Sequence, residues 1–303
     1  MINKVNIGLL AFIFLMISLI AYLPSYQPFS PFNPGWDGLS SIYKNSSGIV
    51  SNPSQLKNLN GCLVIPQPEM MPSEQEIKYM KGFLERGNTI FIAGKGPIVN
   101  SMLRGLGPNI YTYNATVLDR VFHYRSKLFP IAFTSNSTKI VLFSTSYLEN
   151  GVALANTSFF SYVNDSGIKY GPFSVASKQM VGKGKIIVVS DSYFLTNYLM
   201  RFKGNLAFFK GLADGRYYLA TFLLPQSPQY RAKLFILKVS RLLALPYVQV
   251  LVIAALFLVS ALIYGVQETA KLNYPGITEM LREHPDWDES IIKRIIEERK
   301  GET

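Results

Sequence analysis

Two places along this 303-residue chain put chemistry-capable residues where an α/β sheet would expose them. Gly94-Lys95-Gly96 closes the apolar run TIFIA at 89–93, and Asp191-Ser192 closes KIIVVS at 185–190, with Asn197 and Asn205 following. In an open α/β sheet, ligands bind beyond the carboxyl ends of the strands. Backbone N–H groups of the glycine loop could cradle an anion beside Lys95, and a carboxylate at 191 could orient a substrate or a metal. The candidate ligand set is therefore Gly94, Lys95, Asp191, Ser192 and Asn197. Each has a plainer reading. G-K-G-P is neither G-x-x-x-x-G-K-[ST] nor G-x-G-x-x-G, and no hydroxyl follows Lys95 to hold a metal, which favours a tight loop. Asp and Ser commonly cap a following helix, and Asn side chains tie loop backbone.

Nucleophilic catalysis needs a nucleophile with a base in hydrogen-bond reach. Cys62 is the single cysteine, and His123 and His284 are the two histidines. Cys62 opens its strand, at the end opposite the expected ligand edge, while His123 falls in a β-rich stretch and His284 in the tail. No G-x-S-x-G elbow or H-E-x-x-H pair occurs. One cysteine allows neither an intrachain disulfide nor a cysteine-based metal site. The expectation is a protein with no catalytic set, no metal site and no cofactor.

The elements that must position these residues are legible in part. Cys62 to Pro66 is a short apolar strand. Ser73 and Glu76 form an S-x-x-E capping box, and Ile77, Met80, Phe83 and Leu84 recur at helical spacing. Gly87 suits the left-handed position after a helix end, and Thr89 to Ala93 is a β-branched second strand. Together they predict a βαβ unit with a right-handed crossover and a parallel pair. Gly182-Lys183-Gly184 predicts a turn into the strand 185–190, and 203–213 a helix. Residues 108–181 hold short alternating runs rich in Thr, Ser and aromatics, which predict a β-rich insertion. The fold class expected is α/β, a Rossmann-like (glutamine-amidotransferase-like) parallel sheet carrying that insertion and flanked by two transmembrane helices.

The flanking helices are expected from hydropathy. Hydrophobic residues make up 49% of the chain and charged residues only 16%, against about 25% charged in a typical soluble domain. Residues 7–23 and 245–266 carry no charge; the first nearly reaches, and the second passes, the roughly 20 residues that cross a bilayer. Expected boundaries are a span at 1–24, a domain at 25–243 with its insertion at 108–181, a second span at 244–266, and a charged tail at 267–303. Within the domain, SYQPFSPFNPGW (25–36) suggests an extended stalk, and the basic amphipathic stretch 228–243 a juxtamembrane helix. Lys4 before the first span places both termini in the cytoplasm and the domain outside the cell membrane. Sequons begin at Asn45, Asn114, Asn136, Asn156 and Asn164, all inside 25–243, and are glycosylation candidates.

Charge is uneven. The domain holds 23 Lys/Arg and 10 Asp/Glu, a balance of +13, and the tail 6 and 9, a balance of −3. The cations are scattered singly, which argues against nucleic acid as a partner. Membrane lipid is the partner expected for the spans. In the tail, Asp286 with Glu289 resembles a cap, and Ile291, Ile292, Ile295 and Ile296 form an apolar stripe. A helix of about 12 residues is marginal alone, so a protein partner for that stripe is expected.

The sequence GCLVIPQPEMMPSEQEIKYMKGFLERGNTIFIAG, GKGKIIVVSDSYFLTNYLM with GNLAFFKGL after it, and GWDGLSSIYK together resemble the DUF4350 family. That resemblance covers 36–107 and 181–213 well and the insertion poorly. It implies an amidotransferase-like or Rossmann-like sheet between membrane spans and a non-catalytic role. GRYYLATFLLPQSPQ stands where many members carry an acidic, histidine-bearing stretch. Related domains in auxiliary subunits of ABC-type transporters supply an alternative. Three functions are thus expected in order: a membrane-anchored, non-enzymatic binding or scaffold protein; an accessory subunit of an ATPase-linked transport complex; and a hydrolase acting near Asp191.

Overall fold

The computed structural model describes residues 22–165, 167–213, 215–251, 284 and 286–301, with isolated positions between 12 and 20, between 253 and 261, and at 282. The chain divides into two compact units, Met1–Leu234 and Phe235–Thr303.

The first unit is built on a nine-stranded sheet. Its elements begin with α1 (Ser40–Tyr43), β1 (Gly48–Val50) and β2 (Cys62–Pro66), followed by α2 (Glu74–Glu85), β3 (Thr89–Ala93) and α3 (Pro97–Leu106). Short strands follow: β4 (Tyr111–Thr112), β5 (Leu118–Asp119), β6 (Ile131–Thr134), β7 (Lys139–Val141) and β8 (Leu148–Glu149). Then come β9 (Val152–Asn156), β10 (Ser161–Asn164), β11 (Ile168–Tyr170), β12 (Ser174–Val181) and β13 (Gly184–Val189). Helices α4 (Asn197–Met200) and α5 (Lys203–Ala213) and strand β14 (Tyr217–Ala220) complete the first unit, and helix α6 (Pro228–Leu243) runs past that unit's last residue, Leu234.

The βαβ unit forms as its residues require. Ser73 accepts from the Glu76 backbone N–H while the Glu76 carboxylate accepts from Ser73 N at 2.7 Å, closing the capping box. Gly87 takes φ +88°, the left-handed conformation glycine favours. Strands β2 and β3 then pair in parallel, Cys62 opposite Thr89. Alternation sorts their side chains. Leu63, Ile65, Ile90 and Ile92 pack with Met80, Phe83, Met102 and Leu106 from α2 and α3 on one face. Val64, Phe91, Ile187 and Val189 pack with Phe194 and Phe209 on the other.

Strand order is β1-β14-β2-β3-β13-β12-β9-β6-β7. The first five run parallel and the last four join antiparallel. The expected parallel sheet is therefore half of a mixed one. Four strands of the β-rich stretch 108–181, β6, β7, β9 and β12, extend the main sheet, because hairpin-linked strands can add antiparallel without a crossover helix. Only β5-β10-β11 and β4-β8 form small sheets of their own. The free border at β7 is closed by a side chain. Asn205 Oδ1 accepts from Val141 N at 2.8 Å and its Nδ2 donates to Val141 O at 2.7 Å, as a tenth strand would.

The stalk expected at 25–36 is instead folded onto the sheet's second face. Phe29 is buried with its ring 5.5 Å from that of Tyr193, and Phe32 packs edge-on against Tyr43. The serines and asparagine between its prolines make local turns, Phe32 N donating to Ser30 Oγ and Gly35 N to Asn33 Oδ1, which lets an irregular segment bury itself with its backbone satisfied.

The two transmembrane helices are also corrected. Among the described residues no helix is long and apolar enough to cross a membrane, and much of 7–23 and 245–266 lies outside the described residues. Helix α6 carries Arg231, Lys233, Lys238 and Arg241 and stops at Leu243. The backbone turns at Ala244 and Leu245, and helix resumes at Pro246, as expected of a proline that can begin a helix but not continue one. The two-span cell-membrane placement, with 25–243 outside and both termini in the cytoplasm, loses its footing with the spans.

In the second unit, α7 (Glu289–Gly301) is the helix expected in the tail. Its cap is Asp288 rather than Asp286: Asp288 Oδ1 accepts from Ser290 N at 2.8 Å, and hydrogen bonds from Ser290 hold its carboxyl below the usual range. Ile291 and Ile295 are exposed and Ile292 is buried. The side chain of Ile296 lies outside the described residues.

Candidate functional site

Gly94, Lys95 and Asp191 do converge, because β3 and β13 are neighbours and end together; Gly94 N donates to Val189 O at 2.9 Å. The groups are already engaged, however. Gly96 N donates to Thr112 Oγ1 at 3.0 Å, and Thr112 is clamped by Asn100, which accepts from its N–H and donates to its carbonyl, both at 2.8 Å. The loop is the tight connection into α3, with Gly96 at φ +94° ahead of Pro97. The Lys95 ammonium donates to Ser144 O, and burial lowers its pKa against the opposing pull of Asp191.

Asp191 is fully buried. Its Oδ2 accepts from Phe143 N and its Oδ1 from Tyr193 N, both at 2.7 Å. Burial raises its pKa to about 7, against the lowering effect of those N–H groups and of Lys95. Asn197 lies apart from this pair. Its Nδ2 donates to Asn33 O at 3.0 Å and Gly35 O at 2.7 Å, while Oδ1 accepts from Ser41 N at 2.8 Å. It fastens the folded 25–41 segment to α4. Ser192 is half-buried. Cys62 is buried inside β2, and burial pushes its thiol up to about 12. Among the described residues no group of three or more His, Cys, Asp or Glu side chains could hold a metal. All five sequon asparagines are exposed.

What Asp191 builds is a cavity. The two residues whose backbone it holds, Phe143 and Tyr193, are walls of a hollow of about 250 Å³ completed by Trp36, Phe129, Thr196, Tyr198 and Leu199. The surface of this hollow is apolar. Its rings brace one another: Phe129 stacks on Phe143 at 4.6 Å, Trp36 on Tyr193 at 6.0 Å, and Phe143 meets Tyr193 edge-on at 5.2 Å. The 143–146 loop is tied to the end of β13 by Ser190, whose Oγ donates to Ser146 O at 2.8 Å and whose carbonyl accepts from Ser146 N at 2.9 Å. These aromatics are not among the candidates drawn from the sequence; they lie as far apart as Trp36 and Tyr198. The signal was local: Tyr193 and Tyr198 flank the same stretch that supplies Asp191 and Asn197.

A family described as "Domain of unknown function (DUF4350)" matches residues 31–213. The chain belongs to the DUF4350 family. The match runs unbroken from the folded 25–41 segment through the antiparallel strands to α5, so the cavity lies wholly inside the DUF4350 domain. No curated protein matches the chain. Among solved structures it is similar to the mmIFT52 N-terminal domain, with 17% identity and a TM-score of 0.42, over 55% of this chain and 82% of that one. It is also similar to the exo-β-1,4-mannosidase Op5Man5 from Opitutaceae bacterium strain TAV5, with 15% identity and a TM-score of 0.30, over 53% of this chain and 26% of that one. A cold-adapted β-galactosidase from Rahnella sp. R3 shows 16% identity and a TM-score of 0.34, over 50% and 23%. The chain thus spans about a quarter of either glycosidase. Likenesses this distant carry neither activity nor fold to the DUF4350 domain, and none supports an amidotransferase-like reading of its sheet.

Proposed function

We propose that the DUF4350 domain of this chain is a non-enzymatic binding module that receives an apolar group of its partner in the aromatic cavity. The observation that carries this reading is the pose of Asp191: both carboxylate oxygens are spent on the backbone of the two wall residues Phe143 and Tyr193. A general acid or base must reach the proton it moves. This carboxylate faces the protein, and the hydrolase reading gains no support from it. A preformed apolar hollow with one exposed aromatic on its lip, Trp36 at 60% exposure, suits binding by insertion.

Trp36 reports on the test. In a Trp287→Phe background it is the sole tryptophan. A heptapeptide with a central phenylalanine between glutamines should shift Trp36 emission to the blue and saturate. Tyr198→Ala, which removes one wall, should weaken that response several-fold. Absence of any saturable response in the intact cavity would discard the binding reading.

A further inference from the structure

We infer that the segment received by the cavity is an acidic peptide carrying one aromatic or aliphatic anchor residue. The inference rests on the binding reading above and adds the chemistry of the partner.

The first argument is size. A hollow of about 250 Å³ falls below the ~300–1,000 Å³ of sites for drug-sized ligands and takes a single side chain. The wall atoms are apolar, so selectivity must come from the rim.

The second argument is the charge of that rim. The Arg201 guanidinium lies 4.0 Å over the ring of Tyr198, and Arg125 lies 5.2 Å over Tyr124. Tyr124 and Tyr198 both pack on Phe202, at 5.0 and 6.2 Å. Both arginines are exposed, and among the described residues neither is held by a carboxylate. Arg125 takes φ +61°, a conformation uncommon for a long side chain. A turn in which Tyr124 N donates to Phe129 O, and Phe129 N to Ser126 O, holds it there next to the cavity wall. A stacked guanidinium keeps its N–H fork free for carboxylates. Among the described residues none of the side chains lining the cavity is an acid. Asp191 behind it is turned away, and Asp37, beside Trp36, is half-buried and accepts from Asn33 Nδ2 at 3.0 Å. An approaching segment therefore meets two guanidiniums and a wall with no carboxylate in it.

The third argument separates a peptide from other anions. Single-stranded nucleic acid needs a succession of open ring faces, whereas here Phe129 and Phe143 cover one another, as do Trp36 and Tyr193. One hole beside two cations matches one anchor residue with acidic neighbours.

The test uses the full chain with Trp287→Phe and three heptapeptides that share a central phenylalanine, flanked by glutamate, glutamine or lysine. At low salt the glutamate peptide should bind about tenfold tighter than the glutamine peptide and the lysine peptide weakest. The preference should shrink as salt rises. Replacing both arginines, Arg125→Gln with Arg201→Gln, should erase the preference, so that the glutamate and glutamine peptides bind that variant with equal affinity. Equal binding of the three peptides would overturn the inference while leaving the binding reading intact, and so would a preference that survives the double replacement. A short single-stranded oligonucleotide that moves Trp36 emission at lower concentration than the glutamate peptide would overturn it in favour of nucleic acid. If no peptide binds, the binding reading itself falls and this inference goes with it.

Discussion

Asp191→Asn should change how stability depends on pH, and in a direction that most carboxylates would not give. Burial raises the Asp191 pKa from 3.8 to about 7 in the folded protein. Below about pH 4 both folded and unfolded chains hold the proton. Between there and about pH 7 the unfolded chain releases it into water while the folded chain keeps it, so the native state binds more protons and stability falls as pH rises. Carried to pH 8, that difference in pKa amounts to about 4 kcal/mol of lost stability, about 2 of it between pH 5 and pH 7. An asparagine cannot titrate. It offers one acceptor where Asp191 now serves both Phe143 N and Tyr193 N, leaving one buried donor unmatched at about 1–3 kcal/mol. The wild type should be the more stable protein at pH 5, the two curves should converge or cross near neutral pH, and the variant's own profile should be the flatter. Urea unfolding followed through Trp36 emission, with Trp287→Phe in both proteins, measures this. Parallel profiles for the two proteins between pH 5 and pH 8 would refute the assignment of that slope to Asp191.

Two further outcomes follow from contacts already described. Asn197→Ala removes the amide that ties Asn33, Gly35 and Ser41 to α4. It should destabilise the domain by about 1–3 kcal/mol and raise the mobility of Trp36, read by unfolding and by fluorescence anisotropy; an unchanged anisotropy would mean that Trp36 is held by its ring contacts alone. Gly204→Ala should be worse tolerated, because its Cβ would stand 2.0 Å from the Lys139 carbonyl oxygen. A loss of several kcal/mol or failure to accumulate folded protein is expected, and a variant with wild-type unfolding would show that α5 can shift away from β7.

The parallel half of the sheet was legible because its signals are local. A capping box, a helical stripe and a left-handed glycine lie within about 32 residues and need no distant partner to be understood. The antiparallel half was not. Its strands are three to eight residues long, and alternation says that Ile131–Thr134 is a strand without saying that β9 lies beside it. The candidate residues fared likewise. Proximity of Gly94 and Asp191 followed from strand ends, but the direction in which Asp191 points depends on Phe143, 48 positions away. The segment 25–36 was misread because prolines and aromatics describe an extended chain equally well in water and on a sheet; its burial is decided by Tyr193, Tyr43 and Tyr230. The expected spans rested on uncharged apolar runs, whereas among the described residues no helix is long and apolar enough to cross a membrane.

An open row of strand amides invites another chain to dock and continue it, the usual origin of fibres and swapped dimers. Here the outermost row at Val141 is already answered from within, by a carboxamide rooted in the helix Lys203–Ala213. To recruit a neighbour on that flank, the domain would first have to unseat its own helix. Protection against runaway assembly is thus concentrated in one side chain, and its removal should show first as clumping under concentration rather than as loss of fold.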